Sequence, residues 1–100
     1  MTIVKNVNTQ FCVNIPTGAM KGTTKIIMTF KNRVNGEVLF TREYTKEGKN
    51  YDVITAEEAE RVRNNAQYDF DKILIDGRRF RMHCQGRIQI QYGIGGTSDE

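Results

Sequence analysis

Little in this 100-residue chain is equipped for covalent chemistry. It has one serine, Ser98, one histidine, His83, and two cysteines, Cys12 and Cys84. A single serine near the C-terminus leaves no serine-based triad. His83 and Cys84 are neighbours, and on a strand neighbours point to opposite faces, so they do not read as a thiol–imidazole dyad. One histidine, no paired-cysteine motif and no clustered ligands give no support for zinc. Two cysteines are too few for a disulfide scaffold, so free thiols and a reducing, cytoplasmic (intracellular) setting are expected. Apolar runs stop at three residues, as in Ile26-Ile27-Met28 and Val38-Leu39-Phe40. No membrane span is expected from such runs, and the N-terminus lacks the apolar stretch of a signal peptide. The expectation is a protein without catalytic residues, cofactor or metal.

Two segments come close to a chemical motif. Gly18 to Thr24 (GAMKGTT) resembles a phosphate-binding loop, but it lacks the Gly-Lys-Thr ending and leads into a strand rather than a helix. Asp69-Phe70-Asp71 puts two carboxylates on one face and could hold a divalent ion. The preferred reading there is a solvated lead-in to a strand.

What the chain does have is charge arranged in blocks. Residues 1–36 contain Lys5, Lys21, Lys25, Lys31 and Arg33 and no acid, whereas 37–60 carry seven acids against three bases. Arg78, Arg79, Arg81 and Arg87 then stand unopposed over 78–97, and Asp99 and Glu100 follow. The formal net charge is only +3. The blocks nonetheless imply a surface with distinct fields, provided the fold keeps them apart.

Apolar residues make up 38% of the chain, enough for one packed core in one domain of this length. Residues 3–15 alternate at period two and predict one long strand, with Ile3, Val7, Phe11, Val13 and Ile15 inward, interrupted by Lys5 and Thr9. Pro16 to Gly22 reads as a loop. Strands follow over 24–33, with Ile26, Met28 and Phe30 on one face, and from 37 to about 46, with Val38, Phe40 and Tyr44. Parity decides the turn between them: a three-residue loop, Val34-Asn35-Gly36, opposes Phe30 to Phe40, Ile26 to Tyr44 and Arg33 to Glu37. It also puts glycine at the left-handed position of a bulged turn. After a loop at 46–50 and the stretch 51–54, a helix is predicted over 56–67, with Thr55 and Glu58 as a capping box, Glu57 paired with Arg61, and Ala59, Val62 and Ala66 as the buried stripe. Ile73 and Ile75 lead into Asp76-Gly77, read as a two-residue turn opposing Ile73 to Phe80. From Phe80 the alternation runs unbroken to Tyr92, with Gly86 as a bend point.

The expected architecture is thus α+β and mostly antiparallel: strand, strand, strand, helix, strand, strand. It forms a strongly coiled sheet or small barrel over 1–93, followed by a flexible tail at 94–100. This order is similar to that of OB-folds, a resemblance of topology alone.

Two kinds of binding fit such a chain. Arg79, Arg81, His83 and Arg87 share one strand face, about 6.6–7 Å apart for alternate residues, and Lys25, Lys31 and Arg33 form a second ladder. These seven residues are the candidate site, and nucleic acid is the first partner expected. The aromatic platforms of single-strand binders are missing from those faces, because Phe30, Phe40, Phe80, Tyr44 and Tyr92 lie on apolar ones. Only Tyr51, Tyr68 and Phe70 could be exposed. The alternative is a protein-interaction module, such as an inhibitor, adaptor or assembly subunit of the style found in phages, that meets an acidic protein surface or self-associates through strand edges.

Overall fold

The computed structural model describes residues 1–32, 36–63 and 66–92; within 83–92 it describes the backbone, and the side chains only at Gly86 and Ile88. Among the described residues, eight strands and one short helix follow in the order β1 (Thr2–Lys5), β2 (Thr9–Ile15), β3 (Thr23–Asn32), β4 (Val38–Tyr44), β5 (Gly48–Ile54), α1 (Ala56–Ala59), β6 (Ala66–Leu74), β7 (Arg79–Arg87) and β8 (Gln89–Tyr92). They build three sheets. The largest has the order β4-β3-β6-β7 and is antiparallel throughout, β2 pairs antiparallel with β5, and β1 pairs parallel with β8. The fold is therefore α+β and mostly antiparallel, but the sheets do not close into the expected barrel.

The predicted strand over 3–15 is broken at Asn6, which adopts φ 70°. Asparagine tolerates that left-handed conformation better than other residues with a Cβ. The Thr9 hydroxyl accepts a hydrogen bond from the Val4 N–H at 3.2 Å across the turn. Period two survives on either side, with Ile3 and Ile15 buried and Phe11 and Val13 half-buried, while Val7 at the break is exposed. Lys5, expected as an interruption, is buried, and its ammonium donates to the Val62 carbonyl at 3.1 Å. That carbonyl ends the helical turn, where a cation is favoured.

The β3–β4 register is as parity required: Ile26 opposes Tyr44 and Phe30 opposes Phe40. The two rings stack with centroids 4.5 Å apart. Gly36 takes φ 68°, the expected left-handed position. A bulge after Phe30 sets Lys31 opposite Val38, and the Asn32 N–H donates to the Glu37 carbonyl at 2.9 Å. Arg33 lies outside the described residues.

Four further expectations are corrected. Residues 48–54, read as loop and lead-in, form β5. The helix stops at Ala59 and continues only as i→i+3 turns to Val62. Its capping box is present, but Arg61 reaches the Leu39 carbonyl at 3.5 Å instead of Glu57. Ala59, Val62 and Ala66 are all buried as expected, although Ala66 belongs to β6. The turn at Asp76-Gly77 has three residues, closed by the Leu74 N–H to the Arg78 carbonyl at 2.9 Å, with Gly77 at φ 90°. Ile73 therefore opposes Arg79, and Phe80 opposes Lys72. Finally, the long last strand divides at Ile88, whose N–H donates to the Ala66 carbonyl at 3.0 Å, and β8 crosses to β1.

The core lies between the β2–β5 pair and one face of the four-stranded sheet. Phe30 is at its centre, fully buried, with Phe11 edge-on at 6.2 Å and Tyr68 tilted at 6.0 Å. Gly86 opposes Tyr68, and a Cβ on Gly86 would lie 2.3 Å from the Tyr68 ring. This glycine is therefore the seat of an aromatic ring. The expected tail at 94–100 lies outside the described residues.

Candidate functional site

The described members of the two cationic ladders share one face of the four-stranded sheet. Lys25 and Lys31 come from β3, Arg79 and Arg81 from β7, and β6 runs between them. Asp69 and Asp71 project from β6 into that gap, and each is only 2% exposed. Asp69 is met by the Lys31 ammonium at 2.9 Å and by Arg81 at 3.1 Å. Asp71 is met by Arg79 at 2.6 Å and by the Arg81 Nε. Lys25 pairs with Glu43 on β4 at 3.1 Å. Four cations are thus matched by three carboxylates.

Burial pushes the Asp71 carboxyl up, but hydrogen bonds from Arg81 and Arg79 outweigh it and hold the group below its ordinary value. The hydrogen bond to Asp71 in turn raises Arg81. The expected solvated lead-in at 69–71 is therefore a pair of buried carboxylates, each engaged by basic side chains. Arg79 and Arg81 still expose 54% and 57% of their side chains. Lys25 and Lys31 are more covered. The side chains of His83 and Arg87 lie outside the described residues, as does Arg33. Of the seven candidate residues, the structure brings Lys25, Lys31, Arg79 and Arg81 together.

The opposite face of the same sheet carries a second surface. The β2–β5 pair covers it unevenly. On the β4 side, polar groups close the seam between the sheets. Arg42 bonds Glu58 and the Val53 carbonyl and lies 3.7 Å from Asp52, and the Tyr44 hydroxyl donates to Asp52 at 2.9 Å. Burial and that hydrogen bond push the Tyr44 hydroxyl well above its ordinary value.

On the β7 side the seam gapes. A groove with a cavity of about 330 Å³ opens between β2 and a floor made by Ile26, Met28, Tyr68, Phe70 and Met82. Tyr68 and Phe70, two of the three aromatics left open as exposed, pack edge to face at 5.8 Å in that floor. A register shift between Asp69 and Asp71 bulges β7 beside Phe70, next to Met82. Phe80, 48% exposed, continues the apolar face past Met82, with the Arg78 guanidinium 5.5 Å from its ring. Cys12 is a free, exposed thiol on the groove wall.

Sequence reasoning missed both the aspartate hub and the groove. The signal for the hub was available: Asp69 and Asp71 have the parity of Arg79 and Arg81 once the turn has three residues. The groove had no such signal, because it depends on how far one sheet covers another.

Among the described residues no group of three or more histidine, cysteine or acidic side chains could hold a metal ion, and no helix is long and apolar enough to cross a membrane. No protein-family model matches this chain, and no curated protein matches it.

Proposed function

We propose that this chain is a non-enzymatic binding module whose partner is another protein, engaged through the open apolar groove between β2 and the β6–β7 side of the sheet. The observation that carries this reading is the contrast between the groove and the charged face. The groove is a concave apolar surface with Phe80 exposed at its margin, the kind of patch that marks an interaction site. The cations of the other face are largely engaged by Asp69, Asp71 and Glu43. A polyanion would have to compete with buried carboxylates for them.

Nucleic acid remains the second reading, favoured by the exposed outer sides of the Arg79 and Arg81 guanidinium groups. Its phosphates would meet a face without aromatic platforms among the described residues.

One affinity-capture experiment separates the two. Immobilised wild-type protein, Met82→Glu and Asp69→Asn/Asp71→Asn are exposed to extract of the source cell, with and without nuclease. The protein reading expects a nuclease-resistant partner that the aspartate variant keeps and Met82→Glu loses; circular dichroism checks that both variants fold. Nuclease-sensitive capture that strengthens in the aspartate variant, whose cations are released, would overturn it in favour of nucleic acid.

A further inference from the structure

The wall of the groove has a peculiarity. Six consecutive residues, Phe11 to Pro16, line it. A strand seen face-on contributes alternate residues, so a consecutive set means that the groove runs along the edge of β2. Among the described residues that edge is bare: β2 is bonded to β5 on one side and to no strand on the other. Unpaired N–H and C=O groups along a strand edge are a template for another strand. The floor beneath this edge is apolar through Met28, Phe70 and Met82. At its end stands Lys72, which alternates with Phe70 on β6 and opposes Ile26 and Phe80. Among the described residues no carboxylate lies within ion-pair distance of its ammonium.

From these features we infer the form of the partner, resting on the protein reading above. It is an extended segment that adds as a third strand on the free edge of β2. Backbone hydrogen bonds to β2 hold it. Apolar side chains at alternate positions pack on Phe70 and Met82, and an acidic residue at one end meets Lys72. The matching length is that of β2 itself, seven residues.

The test uses a fluorescein-labelled heptapeptide with valine at alternate positions, threonine between them and glutamate at one end. Binding to the full-length protein is followed by anisotropy. Saturable binding is expected, weakened at least tenfold by Lys72→Glu, a partly exposed position whose change leaves the core intact. The same variant should prefer the peptide ending in lysine. Two N-methylated peptides probe the ladder, each blocking one alternate set of N–H groups. Methylation of the set facing β2 should abolish binding, and methylation of the other set should be tolerated. If both methylated peptides bind like the parent, strand addition is wrong. If no peptide binds up to about 1 mM, it is also wrong. In either case a nuclease-resistant partner held by the wild type and lost in Met82→Glu keeps the protein reading alive, whereas capture of no such partner by the wild type sinks both.

Discussion

The two seams of this molecule differ: one is closed and the other open. On the β4 side, where no backbone ladder joins β4 to β5, Arg42, Tyr44, Asp52 and Glu58 stitch the sheets together with side chains. On the β7 side the corresponding space is apolar and open, bounded by the bare edge of β2. Polar groups in a half-buried seam must be paired, and pairing locks the sheets in one geometry. An apolar seam carries no such obligation, so it can stay unfilled at the cost of some lost burial. The fold thus has a hinge side and a mouth.

The comparison can be broken most severely from the centre, since Phe30 supports both seams. Phe30→Ala should lower stability by about 3–5 kcal/mol, read from urea unfolding, because the ring is fully buried against Phe11, Phe40 and Tyr68. Arg42→Ala comes next. It leaves Glu58 and Asp52 partly buried without their cation, and about 2–3 kcal/mol should be lost in the same assay. On the open side, Gly86→Ala drives a methyl into the Tyr68 ring and should cost about 1–3 kcal/mol. Tyr68→Ala should cost less in that background than in the wild type, because it also removes the clash. Phe80→Ser should change stability by less than about 0.5 kcal/mol, its ring being half in water already. A Phe80 effect as large as that of Arg42 would mean that the mouth is as tightly built as the hinge.

Acid sharpens the same contrast. Burial raises Glu58, but its hydrogen bond from Arg42 outweighs this and lowers the carboxyl below its ordinary value. A carboxyl depressed by folding contributes stability that is fully present above its unfolded value, near 4.5, and lost as pH falls through the folded one. Wild-type stability should therefore hold through neutral pH and decline below about pH 4.5. Glu58→Gln should start less stable and decline less steeply. Asp71, lowered by Arg81 and Arg79 against its burial, adds to the decline on the charged face.

How much was legible in the residues depended on whether one face was buried. The β3–β4 register followed from parity because Ile26, Met28 and Phe30 all needed the core. The same test misled at Ile73 and Phe80, since both are apolar and a two-residue turn let them face each other. In the structure Ile73 shares the face of Asp71, and Phe80 looks the other way. Gly77 belonged to the longer turn, as Gly36 did. The helix was overextended because Ala59, Val62 and Ala66 satisfy a helical stripe, while Ala66, Tyr68 and Phe70 equally satisfy a strand. At Asn6 a left-handed turn breaks the strand, and the only trace of it in the hydrophobic pattern was polar Lys5 and Thr9 on the apolar parity to either side. The cationic residues were found, but their state depended on Asp69 and Asp71, which are placed by pairing between distant strands.

The parallel pair formed by β1 and β8 has a consequence for synthesis. Thr2 waits for Gln89 and Lys5 for Tyr92, so β1 has no strand partner until the ribosome has moved almost ninety residues further. At roughly 5–20 residues per second, that is a delay on the order of ten seconds. Throughout it, Ile3 lacks its Ile90 neighbour and the segment before Asn6 is an unpaired apolar strand. The antiparallel β3–β4 hairpin needs no such wait. The β1–β8 pair can therefore close only after the residues of the β3–β4 hairpin have long been free to pair.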